Sequence, residues 1–216
     1  MKAEISCRQG CSASGRALRA DKSPARTCEG PAETKFRKGA AGFSHRRCAT
    51  LPTAHGAAQG EKGALHPELA YGMALLAQIR PGETVLDPFA GSGAVGEAVK
   101  HFGAKPLLSD IAPKPGIAAC DARDLVQIRD GSIDRIVTDP PWGIYEKCDV
   151  NALYRAAFAE FRRVLKPSGA VVLLTAAARE AETAMVEAGF AHEKTLRVLV
   201  NGKKAALTRW RPAIAQ

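Results

Sequence analysis

One stretch constrains the fold more than any other: Val85-Leu86-Asp87-Pro88-Phe89-Ala90-Gly91-Ser92-Gly93-Ala94-Val95-Gly96. A short apolar run ends in an acid, turns through a glycine loop and continues into an Ala-rich helical segment up to Lys100. Strand, Gly-rich turn and helix in that order build a nucleotide-type crevice at the carboxyl end of a parallel strand. Gly91 and Gly93 let the backbone approach a ligand where a side chain would stand in the way.

Further along, Ile133-Asp134-Arg135-Ile136-Val137-Thr138 reads as a second strand and runs into Asp139-Pro140-Pro141-Trp142-Gly143. An acceptor, two prolines and an aromatic at a strand end make a stiff loop that presents a carboxylate beside a flat ring. The pair Asp-Pro-Phe-Ala-Gly-Ser-Gly and Asp-Pro-Pro-Trp resembles the class I S-adenosylmethionine-dependent methyltransferases that modify exocyclic amines of nucleobases. The resemblance covers residues 63–211. It implies an α/β fold, a Rossmann-like doubly wound seven-stranded sheet closed by an antiparallel pair, with S-adenosylmethionine as cofactor.

The remaining elements fit that order. Gly63 to Tyr71 opens a helix with Pro67 near its first position, and Leu69, Met73, Leu76 and Ile79 are expected to face the core. Lys105 to Ser109 reads as strand two, ending in Asp110, and Ile117 to Cys120 as strand three. Pro113 and Pro115 forbid a regular helix between them, so that crossover is expected to be a short loop that leaves one sheet face thinly covered. Asn151 to Leu165 reads as an amphipathic helix with Leu153, Ala157, Phe161 and Leu165 on its apolar side, stopped by Lys166-Pro167-Ser168-Gly169. Ala170 to Thr175 is a buried strand, a helix around 179–188 follows, and 195–200 with 203–210 flank an Asn201-Gly202 hairpin turn.

The resemblance also implies roles. Asp87, Pro88, Phe89, Ala90, Gly91, Ser92 and Gly93 would cradle the cofactor, with His66 and Pro67 at its methionine end. Asp110 would accept from the ribose hydroxyls, Asp121 from the adenine amine, with Ala122 at the ring edge. Asp139 borders the cofactor and, with the Pro140 carbonyl, would accept the two hydrogens of the target amine. Pro141 stiffens the loop, and Trp142 would stack on the flipped base. Such an amine is a poor nucleophile because its lone pair is delocalised into the ring, so acceptors that localise that pair suit direct in-line methyl transfer. No metal is expected, and no Pro-Cys nucleophile motif for C5-pyrimidine chemistry occurs in the chain. His66 reads as a capping or substrate-side polar group.

Charge bears on the substrate. The formal net charge is +9. Residues 1–63 carry 12 Lys and Arg against 5 Asp and Glu, whereas the remainder carries 19 against 17. A basic, Ala-, Gly-, Ser- and Arg-rich segment without periodicity suits either phosphate contact or an irregular tail. The expected organisation is therefore an irregular basic extension over 1–62 and a catalytic domain over 63–216. Cys7, Cys11, Cys28 and Cys48 lie in the extension, and only Cys7/Cys11 and His45/Cys48 approach zinc-ligand spacing, so free thiols are expected. Glu4, Asp21, Glu29 and Glu33 argue against an organelle transit peptide, and no apolar run has membrane-spanning length, which points to a cytoplasmic protein.

Leu65-His66-Pro67-Glu68-Leu69-Ala70, Val137 to Gly143, Leu153-Tyr154 with Arg163 to Pro167, and the Val200-Asn201-Gly202 hairpin resemble the tRNA guanine-N2 methyltransferases. Those enzymes usually carry an RNA-binding THUMP domain, for which residues 1–62 leave no room. RNA capture would then fall to the basic extension or to a protein partner. DNA adenine-N6 or cytosine-N4 methylation shares the second motif, but the short 143–150 loop offers no target-recognition insertion. A cofactor-binding scaffold would not need Asp139 and Trp142, and protein glutamine methylation usually begins this loop with Asn.

Overall fold

A computed structural model describes residues 64–112, 114–144 and 148–213. The N-terminal extension, with its four cysteines, lies outside the described residues. Seven strands form one sheet: β1 (Thr84–Asp87), β2 (Lys105–Asp110), β3 (Ala118–Ala119), β4 (Ile133–Thr138), β5 (Leu165–Thr175), β6 (Phe190–Val200) and β7 (Lys203–Pro212). Their order is β3-β2-β1-β4-β5-β7-β6, parallel from β3 to β5, with β7 antiparallel to both β5 and β6. The chain therefore starts in the middle of the sheet and winds outward in both directions, which puts the switch point between β1 and β4. Ligand crevices of doubly wound sheets open there.

Four helices cover the two faces: α1 (Pro67–Ala77) and α2 (Ala94–His101) on one, α3 (Val150–Val164) and α4 (Ala178–Glu187) on the other. Pro67 does start α1, but the buried stripe is Ala70, Met73, Ala74 and Ala77, with Leu69 and Leu76 at its border. Three alanines let the helix lie close to the sheet, and the larger side chains flank that contact. A similar rotation occurs in α3. Tyr154, Ala157, Phe158, Phe161 and Val164 are buried, and Leu153 sits at the edge, because the three aromatic rings take the core positions. Against β2, α2 packs through Gly96, where a Cβ would fall 2.6 Å from Leu108 Cδ1.

Between β2 and β3 no helix occurs among the described residues, as the prolines require, and Leu107 on β2 is left 39% exposed. The Lys166–Gly169 stretch is not a separate loop. Ile133 pairs with Leu165 and Arg135 with Ala170, so the four intervening residues bulge out of β5 while the ladder continues on either side. The terminal hairpin is also longer than its alternation suggests, since β6 begins at Phe190, with a register shift between His192 and Lys194.

Candidate active site

The parallel strands end together on one edge, and three of them end in acids. Asp87 closes β1, Asp110 closes β2, and Asp139 follows β4 directly. Only 2% of Asp87 is exposed. Its Oδ1 accepts the Thr138 hydroxyl at 2.7 Å across the β1–β4 pair and the Phe89 N–H at 3.2 Å. Burial pushes this carboxyl up to about 7, against the pull of those two donors, and the Asp139 and Asp110 charges push the same way. Asp87 thus feels both neighbouring carboxylates at the strand ends.

The loop after β1 is held to the end of β2. Ala90 N–H donates to the Ser109 carbonyl at 3.0 Å, and Gly91 N–H donates to Asp110 Oδ2 at 2.9 Å. Asp110 Oδ1 accepts Ala112 N–H at 2.9 Å, so this acid organises two loops at once. Gly93 takes φ +81° at the N-cap of α2, a conformation that a side chain would strain. Beyond β3, Asp121 faces Arg123: the guanidinium reaches Oδ2 at 2.6 Å and holds the carboxyl below its ordinary range. Its charge is already matched, which resemblance alone did not indicate. Ala122 is buried beside it.

In the second loop, the Trp142 indole N–H donates to Asp139 Oδ1 at 2.7 Å. Burial raises the Asp139 carboxyl to about 7, and the indole bond opposes that rise. The Trp142 ring packs with the α1-face core, in the same cluster as Leu65, Leu69, Val198 and Val200. Pro140 is buried, and the Pro141 carbonyl accepts the Tyr154 hydroxyl at 2.8 Å. That hydroxyl also bonds Thr175 Oγ1 at 2.8 Å, and burial raises its pKa. Thus α3 and β5 brace the Asp-Pro-Pro-Trp loop through one buried phenol. His66 stands at the N-cap of α1 without capping it, and its Nδ1 meets Glu68 Oε2 at 2.9 Å. The capping role considered for it is therefore not what this geometry shows; it lines a groove with Glu68 and Leu69.

The structure brings together Asp87, the 88–93 loop, Asp110 and Asp139 with Trp142. His66 and Pro67 border the same side through α1, whereas Asp121 sits at the β3 end under its arginine. Sequence reasoning missed Thr138, Tyr154 and Thr175. Tyr154 alone left a signal, since a tyrosine on an apolar helix face needs a partner for its hydroxyl.

A sheet of this order, with its switch point between β1 and β4, is that of the class I methyltransferases. The structure of TrmN from Thermus thermophilus superposes with a TM-score of 0.62 at 29% identity, covering 70% of this chain and 50% of that one. The chain belongs to the UPF0020 family, the RMKL-like methyltransferase domain, which it matches over residues 57–98 and 112–206. It is 33% identical over 135 residues to the tRNA (guanine(6)-N2)-methyltransferase of Thermus thermophilus, covering 53% of this chain and 40% of that protein. It is 32% identical over 98 residues to the tRNA (guanine(10)-N2)-dimethyltransferase of Methanothermobacter thermautotrophicus, covering 38% of this chain and 29% of that protein. The chain thus spans less than half the length of these two relatives.

Proposed function

We propose that this domain methylates the exocyclic N2 of guanine in tRNA or another structured RNA, with S-adenosylmethionine as donor. The observation that carries the reading is the pair Asp139 and Trp142: a desolvated acceptor at the carboxyl end of β4, aligned by an indole. Family membership and the guanine-N2 activity named for both relatives support the substrate class.

The residues at the crevice suit the donor. Three carboxylates at neighbouring strand ends match a cationic ligand with ribose hydroxyls, and the loop through Gly91 and Gly93 keeps side chains out of its path. Asp87 and the 88–93 loop would hold the donor from below, with Asp110 keeping one lone pair on each oxygen for ribose. His66 and Pro67 would border its methionine end, and Asp121 with Ala122 its adenine end. S-adenosylmethionine supplies an electrophilic methyl for direct in-line displacement.

The chain's own groups prepare the nucleophile. Trp142 occupies Asp139 Oδ1, which leaves Oδ2 to accept one hydrogen of the guanine amine. The Pro140 carbonyl, which has no hydrogen bond among the described residues, would accept the other. These bonds pull the amine lone pair out of conjugation and hold it toward the methyl. Asp139 must be ionised to do this; as the N–C bond forms and the methyl–sulfur bond breaks to leave a neutral thioether, Asp139 would take up the amine's surplus proton and pass it to solvent. The Trp142 ring would meet the base face beside that acceptor.

The test is incubation of the purified full chain with labelled S-adenosylmethionine and unmodified total RNA, with DNA in parallel, followed by nucleoside mass spectrometry. N2-methylguanosine in tRNA is the expected product. Label in DNA adenine or cytosine would replace the substrate and keep the site chemistry. Cofactor binding without label in either would sink the enzymatic reading.

A further inference from the structure

The β6–β7 hairpin differs in charge from everything else described. Residues 190–212 carry six Lys and Arg against one acid, whereas residues 64–189 carry 13 against 16. The single acid, Glu193, is spent internally: its carboxylate lies 3.0 Å from Arg209 and 2.7 Å from Arg211. Lys194, Arg197 and Lys204 are exposed outside that cluster, and Lys203 is half-buried at the turn. Charged residues on an edge strand also deter sheet-to-sheet pairing, but either sign serves that purpose. Here one sign is used.

The register gives the hairpin its direction. Ala206 pairs with Thr175, the last residue of β5, so Lys203 stands three residues, about 10 Å, beyond the end of that strand. Thr138 is level with Leu173, so the overhang rises from the same edge as Asp139. Between the hairpin and the start of α1 runs an open groove of about 520 Å³, lined by His66, Leu69, Val198, Val200 and Asn201. Leu69, Val198 and Val200 belong to the cluster that holds Trp142. The groove therefore follows the α1 face of the hairpin, whereas Arg197, paired with Ala206, and Lys204, paired with Leu199, alternate onto its α4 face; Leu199 at the arm's tip is 72% exposed.

We propose that the β6–β7 hairpin is an RNA-docking arm, holding the phosphodiester backbone where the hairpin overhangs the edge that carries Asp139. The inference rests on the reading of the domain as an RNA methyltransferase. Arg197 and Lys204 contact phosphate without reading sequence, from the α4 face of the arm.

The experiment measures binding of a labelled tRNA to the full chain across a salt series, for wild type, R197A/K204A and K105A. Lys105 lies at the opposite edge, at the start of β2. Loss of two phosphate contacts should weaken binding about tenfold and flatten the plot of log affinity against log salt by about two. In turnover assays the double variant should raise KM for RNA, with kcat and S-adenosylmethionine affinity retained, while K105A matches wild type throughout. Circular dichroism and cofactor titration show that the variants are folded. If wild type binds and methylates RNA and R197A/K204A is indistinguishable from it, the arm is overturned and the enzymatic reading stands. If wild type neither binds nor methylates RNA, both fall.

Discussion

Asp139 is asked to accept a hydrogen bond as a carboxylate in a place that favours the neutral acid. Burial holds it near 7, so at pH 6 most of the ligand-free protein carries it protonated. A rate that needs the ionised form therefore rises with pH. The expected kcat/KM for S-adenosylmethionine climbs through about 7 and levels above it, because that parameter reports the free enzyme. Asp139→Asn should lower kcat by about 10²–10³-fold and remove the part of that climb that Asp139 contributes, leaving the part due to Asp87, with cofactor affinity changed only a few-fold. The same substitution should affect stability in the opposite sense. At pH 8 wild type must bury an ionised carboxylate, so Asp139→Asn should melt higher than wild type; near pH 5 wild type is protonated there and the gap closes. A melting difference that does not vary between those pH values would contradict the raised Asp139 pKa.

At the scale of elements, α3 acts on the site without touching the crevice acids. Tyr154 joins the Pro141 carbonyl to Thr175 on β5, fixing where the loop leaves the sheet. Tyr154→Phe keeps the packing with Phe158 but strands the part-buried Pro141 carbonyl as an acceptor and the buried Thr175 hydroxyl as a donor, which costs about 1–3 kcal/mol. A positioning role predicts more than that. In Tyr154→Phe, kcat should fall by about tenfold or more while cofactor affinity holds, whereas a merely structural tyrosine would lower melting temperature alone. Gly143 closes the loop at φ +71°, and a Cβ there would run into Val150 Cγ2 on α3. Gly143→Ala should thus destabilise the fold, and Val150→Ala should recover only the steric part, since the backbone strain remains. Both motif loops and the succession of strands along the chain were legible in the sequence because each is local, an apolar run, a turn and an acid, whereas the doubly wound sheet came through the resemblance. Tyr154, Thr138 and Thr175 were not, because their roles arise from contacts between residues far apart in the chain. Helix faces were legible only to within a residue or so. Counting leucines put Leu153 in the core, but packing chose the aromatic neighbours Tyr154 and Phe158.

At the scale of the whole molecule, the acid edge links folding to ligand. Asp87 and Asp139 both sit at about 7 in the folded chain, whereas an unfolded chain releases such protons near 3.9. Between those values the folded form binds more protons than the unfolded one. Stability from these two groups is therefore complete below about 4, falls as pH rises toward 7, and levels once both are ionised. A bound sulfonium reverses the preference, because a cation beside the pair favours the carboxylates. Binding then expels protons, and the affinity for S-adenosylmethionine rises over the same window. The expected result is a ligand-free melting temperature that drops between pH 5 and 8, and a ligand-induced upward shift that grows across that range. Calorimetric titration at pH 6.5 in buffers of different ionisation enthalpy should register proton release on binding. An upward shift of equal size at pH 5 and pH 8, with no buffer dependence, would mean that the cation does not bind beside Asp87 and Asp139. The donor pocket would then have to be sought away from the carboxyl ends of β1 and β4.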